Sequence, residues 1–261
     1  MNDASGVRPR TALTGSRLAP NAGPMTLDGT NSYVLSGPGS ASVIVVDPGP
    51  LDETHLADLA ARPVELVLIT HHHLDHTAAS ERFAALTGAP VRALDPAFCV
   101  GGASLTDGEV IEAAGVHVQV LATPGHTADS VCFLLRDDVA PDGRPTGSVL
   151  TGDTILGRGT TILAHPDGRL GDYLASLERL AALGPATVLP AHGPVLPDLA
   201  AVVGRYREHR LARLAAVEAA VAAVGDDVVA VTDAVYTDID DSVRPAAERS
   251  VAAQLEYLRS R

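Results

Sequence analysis

Residues 71–76 of this 261-residue chain read His71-His72-His73-Leu74-Asp75-His76. His71, His73, Asp75 and His76 carry imidazole and carboxylate groups, the ligand types that suit zinc and other first-row metals. His71 and His73 lie two apart, so in extended backbone both point to one side. A turn after them folds Asp75 and His76 back towards the same point. One catalytic metal with an open position takes about three protein ligands. Four ligand-type residues so close together therefore predict the start of two metal sites, each completed from elsewhere in the chain. His72, in the middle of the triplet, is expected to face away from the metals.

Three later stretches repeat the same logic of an apolar run that stops and delivers a ligand. They are Thr123-Pro124-Gly125-His126, Leu150-Thr151-Gly152-Asp153 and Pro190-Ala191-His192-Gly193. The donor types match a dinuclear centre. One metal would take His71, His73 and His126, the other Asp75, His76 and His192, and the two oxygens of Asp153 would bridge them. Two metals roughly 3.5–4 Å apart can share a hydroxide and polarise a scissile group. In that scheme Asp75 also orients or deprotonates the water. Asp47, in Asp47-Pro48-Gly49, is either turn chemistry or an acceptor that orients a metal-binding histidine. His55, His165 and His209 are expected at the surface, and His117 outward on an alternating strand.

The elements that must position these groups read as a mixture of strands and helices. Val64 to Ile69 is a buried strand leading into the histidines, and 42–46, 116–120, 131–135, 148–151 and 187–190 read alike. Helices are expected over 52–61, 78–86 and 173–183. In an open layered α/β sheet, residues at successive strand ends gather along one edge. Residues 1–20 are polar with Gly and Pro and are expected to lack fixed structure. Residues 21–198 form the catalytic domain. Residues 199–261 form a helical appendage, with a long Ala-rich helix over 199–224 and shorter ones near 231–236 and 245–259. Arg205, Arg207, Arg210 and Arg213 on the long helix read as solvated groups, with an anionic partner as the alternative, although at helical spacing they do not all share one face.

Composition limits the choice of function. An apolar fraction of 46% supports a substantial core, but with 3% aromatics and no Trp it must rest on Val, Leu, Ile and Ala. All 19 basic residues are Arg, and a net charge of −13 argues against tight nonspecific binding to nucleic acid or an anionic membrane. No apolar run approaches the roughly 20 residues needed to cross a bilayer. With no signal-peptide core either, a cytoplasmic protein is expected. Cys99 and Cys132 are far apart, which excludes a disulfide framework.

The order T-H-x-H-x-D-H, T-P-G-H-T, T-G-D-T and a final H-G-P resembles the metallo-β-lactamase superfamily. Pro24–Leu27, Gly29–Asn31, the run 152–161 and His192–Pro194 further resemble the beta-lactamase-like protein 2 group. The resemblance implies a four-layer αβ/βα sandwich with metals in a cleft at one edge and a winged-helix-like C-terminal domain. It places the metal ligands at His71, His73, Asp75, His76, His126, Asp153 and His192, and matches Asp47 to a strand-end aspartate. Two Zn2+ are the implied cofactors, with Fe or Mn as alternatives. Ala78-Ala79 replaces the Gly-Gly of many relatives. An aspartate at 153, where the superfamily's β-lactamases commonly use Cys, argues against antibiotic hydrolysis. The activities implied are hydrolysis of a thioester or ester, cleavage of single-stranded RNA by an endoribonuclease, or iron-dependent redox chemistry. An oligomer is compatible with all of them.

Overall fold

A computed structural model describes residues 6–261. Six strands form the first sheet, in the order β1 (Arg8–Pro9), β2 (Thr14–Leu18), β3 (Asn31–Leu35), β4 (Val43–Val46), β5 (Val64–Leu68) and β6 (Val91–Arg92). Five form the second: β7 (Val110–Ala113), β8 (Val116–Ala122), β9 (Val131–Leu135), β10 (Ser148–Gly152) and β11 (Thr187–Pro190), with sheet order β11-β10-β9-β8-β7. Both sheets are mixed. The pairs β4–β5, β5–β6 and β10–β11 are parallel and the rest antiparallel.

Period-2 alternation sorts the strand residues into layers. Ile44, Val46 and Leu68 from the first sheet meet Val118, Val120, Phe133, Leu135 and Leu150 from the second in a core between the sheets. On the outer face of the first sheet, Val43, Val45 and Val67 pack against α1 (Glu53–Leu59) and, past the four-residue α2 (Leu74–Thr77), α3 (Ser80–Thr87). On the outer face of the second sheet, Leu121, Cys132, Leu134 and Val149 pack against α4 (Leu170–Ala181). This is the four-layer sandwich that the resemblance implies. Phe133 is fully buried at its centre, and truncating such a ring to Ala costs about 3–5 kcal/mol.

The N-terminal expectation needs correcting. Residues 1–5 lie outside the described residues, but 8–9 and 14–18 form β1 and β2, so the first sheet starts before residue 21. β1 is the sheet's edge and β2 alternates buried with half-exposed residues, so neither shows as an apolar run. The segment between them is held by the buried carboxylate of Asp138, which accepts from Thr11 Oγ1 at 2.6 Å and from the Leu13 N–H at 3.0 Å.

The C-terminal part is helical as expected, with α5 (Leu199–Val224), α6 (Val228–Val235) and α7 (Arg244–Arg259). These residues include no strand, so the wing of a winged-helix unit is absent. Nor is the part a separate appendage. Leu199, Val202, Val203 and Tyr206 of α5 complete the core beneath the second sheet, while Val217, Val231, Val251 and Leu255 make a small core of their own. No described helix is long and apolar enough to cross a membrane.

The sheets meet at the edge where the ligand-type residues lie. The Val131 N–H donates to Thr70 O at 2.8 Å and the Asn31 N–H to Ala191 O at 2.7 Å. Strands β4, β5, β8, β10 and β11 all end there, and each is followed within a few residues by one of the predicted groups.

Candidate metal centre

All seven predicted residues converge. His71, His73, His126 and Asp153 each offer a ligand atom in one group, and Asp75, His76 and His192 in another, all within 4.8 Å of one another inside each group. Asp153 stands between them. Its Oδ2 is 3.7 Å from His126 Nε2, while its Oδ1 is 3.3 Å from His192 Nε2 and 3.7 Å from His76 Nε2. Asp75 Oδ2 lies 3.2 Å from both His76 Nε2 and His192 Nε2. Gly152 precedes Asp153 at φ +48°, and a Cβ there would meet the Thr70 side chain at 2.8 Å. Glycine therefore lets this turn press against the histidine loop.

Each buried imidazole is oriented through its far nitrogen. Asp47 holds a backbone φ of +52°, a region few residues other than Gly, Asn and Asp enter. From there its carboxylate accepts from the Thr70 N–H at 2.8 Å, Thr70 Oγ1 at 2.7 Å and His76 Nδ1 at 2.8 Å. Asp47 thus does more than shape a turn, since it fixes the tautomer that leaves His76 Nε2 facing the centre. The Thr70 hydroxyl spends its one proton on Asp47 and accepts from His71 Nδ1 at 3.1 Å. His126 Nδ1 donates to Ile162 O at 2.6 Å, and His192 Nδ1 to Gly29 O at 3.2 Å.

These hydrogen bonds leave Nε2 of His71 and His126 as lone pairs. Both lie 3.1 Å from His73 Nδ1, which can donate to only one of them. In the other group, buried His76 Nε2 and Asp153 Oδ1 have no hydrogen-bond partner. Leaving such groups unsatisfied costs about 1–3 kcal/mol each, and more when charged.

Proton affinities divide along the same line. Burial, helped by neighbouring His76 and His126, holds the His71 imidazole well below its usual value. Burial and His126 push His73 down to about 4, and burial lowers His126. In the other group burial opposes charge but is outweighed. Asp47 and Asp75 hold His76 well above the usual histidine range, and Asp153 with Asp75 raises His192 to about 10. Burial would raise the carboxylates, yet His192 and His76 bring Asp153 down to about 2, and His76 and His192 hold Asp75 below the usual carboxylate range. One group offers unshared lone pairs and the other calls for positive charge, so a pair of cations fits this donor set.

Other histidines depart from expectation. His55 is buried, not at the surface, with Nε2 2.9 Å from Ser32 Oγ, because α1 turns its inner face onto the first sheet. His165 and His209 are half-buried, and His117 is exposed as expected. Arg210 is buried rather than solvated. It donates to Thr161 O, and its guanidinium lies 5.0 Å from the Tyr173 ring centroid. Several groups that shape the centre escaped sequence reasoning. Thr30 Oγ1 donates to Asp75 Oδ2 at 3.1 Å, and Asn31 Nδ2 donates to Pro190 O and Gly193 O at 3.1 and 3.0 Å. The motif Gly29-Thr30-Asn31 was their only trace. The carbonyls of Gly29 and Ile162 leave none, since a backbone acceptor has no residue type.

Comparisons with known proteins agree with this geometry. The chain is 30% identical over 256 residues to a "Beta-lactamase-like protein 2 homolog" of Caenorhabditis elegans, covering 92% of this chain and 82% of that protein. It is 35% identical over 195 residues to an "Atrochrysone carboxyl ACP thioesterase" of Aspergillus fumigatus, covering 70% of this chain and 56% of the relative. The chain spans 56% to 65% of the length of the Penicillium, Emericella and Aspergillus relatives it matches. Among solved structures, a metallo-beta-lactamase family protein of Thermus thermophilus superposes with a TM-score of 0.75 at 25% identity, over 95% of this chain and 93% of that one. The model of the metallo-beta-lactamase superfamily matches residues 25–192, a span that begins just before the Gly29 carbonyl and ends on His192, and the chain belongs to that superfamily.

Proposed function

We propose that this chain is a dinuclear metal-dependent hydrolase of thioesters. The observation that carries the reading is the placement of Asp153, one oxygen turned to each group of imidazoles. His71, His73 and His126 would hold one metal and Asp75, His76 and His192 the other, with Asp153 shared. Bound metals of this kind supply Lewis acidity and ionise water near neutral pH.

The chain's own residues do the rest. Asp47, the Ile162 carbonyl and the Gly29 carbonyl accept from Nδ1 of His76, His126 and His192, so that Nε2 is the nitrogen each turns to the centre, and a cation there would displace the proton that His76 and His192 otherwise carry on it. Asp75 is the more open of the two central carboxylates, its side chain 26% exposed against 11% for Asp153. It is the group able to orient an attacking water and accept its proton. Thr30 Oγ1 donates to Asp75 Oδ2 and restrains it.

The thioester is favoured over RNA on two grounds. A relative that covers 70% of this chain bears the name of an acyl-carrier-protein thioesterase. The net charge of −13 also opposes a polyanionic substrate. The test is a panel of acyl thioesters, simple esters and single-stranded RNA, run with metal analysis of the purified protein. Thioester turnover that is abolished by a chelator and indifferent to added salt is expected. RNA cleavage falling steeply with salt would replace the thioester by a phosphodiester. Bound iron with oxygen consumption would replace hydrolysis by redox chemistry.

A further inference from the structure

Beside the centre lies a second constellation that the proposed reaction does not use. His72, facing away from the seven, has Nδ1 2.8 Å from Asp129 Oδ1. Asp167 joins them, and the three residues each present a ligand atom within 4.8 Å of the others. The Asp129 side chain is only 10% exposed, and its other oxygen, Oδ2, is buried with no hydrogen-bond partner. The hydrogen bond with His72 accounts for one oxygen and leaves the other a buried, unsatisfied acceptor, which is costly. The His72 ring is held in place by stacking on Phe98, with centroids 5.7 Å apart and planes 27° from parallel. Asp167 is exposed and accepts the Ala128 N–H at 3.0 Å, so the cluster opens to solvent on that side.

We infer that His72, Asp129 and Asp167 form a third cation site, for a divalent first-row ion such as Zn2+ or Mn2+, separate from the dinuclear pair. One imidazole and two carboxylates are a competent donor set for such ions, and three ligands leave positions for water. With an exposed ligand and open positions, this site binds more weakly than the buried pair. Its place in the fold suggests its role. His72 lies between His71 and His73, and Asp129 follows three residues after His126. Asp167 sits in the turn where Ala164 N–H donates to His126 O at 3.0 Å and Gly168 N–H to Ala164 O at 2.9 Å. A cation here would tie together the histidine loop, the His126 turn and the 164–168 turn, bracing the His71, His73 and His126 group from outside.

The experiment is a calorimetric titration of Zn2+ into protein already saturated at its tight sites and freed of excess metal by gel filtration. Wild type is expected to take up one further, weaker equivalent, which is lost in Asp129→Asn and Asp167→Asn and kept in the control His117→Gln. Hydrogen exchange of the 164–168 amides should slow on that addition in wild type only. No further equivalent in wild type, or one that survives Asp167→Asn, overturns the inference. Should Asp129→Asn fail to fold, Asp167→Asn decides alone, because Asp167 is exposed and Asn retains an acceptor for the Ala128 N–H. The count is a difference between wild type and variant, so it stands whatever occupies the dinuclear centre.

Discussion

The two halves of the centre are built from similar donors but anchored differently. The Asp75, His76 and His192 half hangs on a buried side chain, Asp47, at the end of β4, and on the Gly29 carbonyl. The His126 half hangs on the carbonyl of Ile162, in a loop pinned from α5 through the Arg210 contact with Thr161 O. The first anchor lies within the sheet, next to its histidine in space. The second is relayed from a helix in the C-terminal part. The difference teaches that a local substitution should break one half, whereas the other is open to influence from far away.

The largest expected effect comes where the halves join. Asp153→Ala removes the shared carboxylate and should lower metal content and turnover together, by more than about 100-fold, since even outer partners of metal ligands cost 10–100-fold. A variant that keeps both metals and full turnover would break the dinuclear reading. Asp47→Asn comes next. Asn cannot accept from Thr70 and His76 as the carboxylate does, so His76 loses its fixed tautomer. A loss of about 10–100-fold in affinity is expected for one metal equivalent only, read as a biphasic chelator titration. Equal loss of both equivalents would mean that the anchors are not independent.

Arg210→Met probes the relayed anchor. It should speed metal loss from the His126 half by less than about tenfold, a smaller effect than removing a direct partner. Its melting temperature should fall modestly, because the buried Thr161 carbonyl loses its donor at a cost of about 1–3 kcal/mol. Metal loss from the other half would show that the loop serves both.

The smallest effect concerns stability alone. Burial lowers the His55 pKa to about 4 in the folded protein. An unfolded chain, with His near 6.5, binds more protons between those values. The stabilising contribution of neutral His55 is therefore complete above pH 6.5 and is lost as pH falls towards 4. Urea midpoints measured across that window should slope less in His55→Gln than in wild type.

These tests also mark how far the sequence could be read. All seven central residues were legible because they combine ligand chemistry with positions just past apolar strands, and the sheet topology turns those positions to one edge. The runs 43–46 and 131–135 were legible as strands because they are apolar throughout, which is what a strand covered on both faces requires. His55 was not legible, since an amphipathic helix pattern does not say which polar residue will find a buried partner such as Ser32. Arg210 was misread because guanidinium groups on a long helix usually meet water, and only the packing of α5 beneath the second sheet brings one onto Tyr173. Strands β1 and β2 were missed because both are short and polar, and the segment between them is held by contacts more than a hundred residues away, such as Asp138 with Thr11.

The segment 153–162 begins at Asp153, passes the Gly157 N–H that donates to His192 O at 2.7 Å, and ends at the Ile162 carbonyl that fixes His126. Ten consecutive residues thus supply Asp153 and touch His192 and His126, one residue from each half. A ligand, partner or proteolytic cut that slackened this one stretch would loosen the shared carboxylate and the supports of His126 and His192 in a single event, which a substitution at Asp47 would not do.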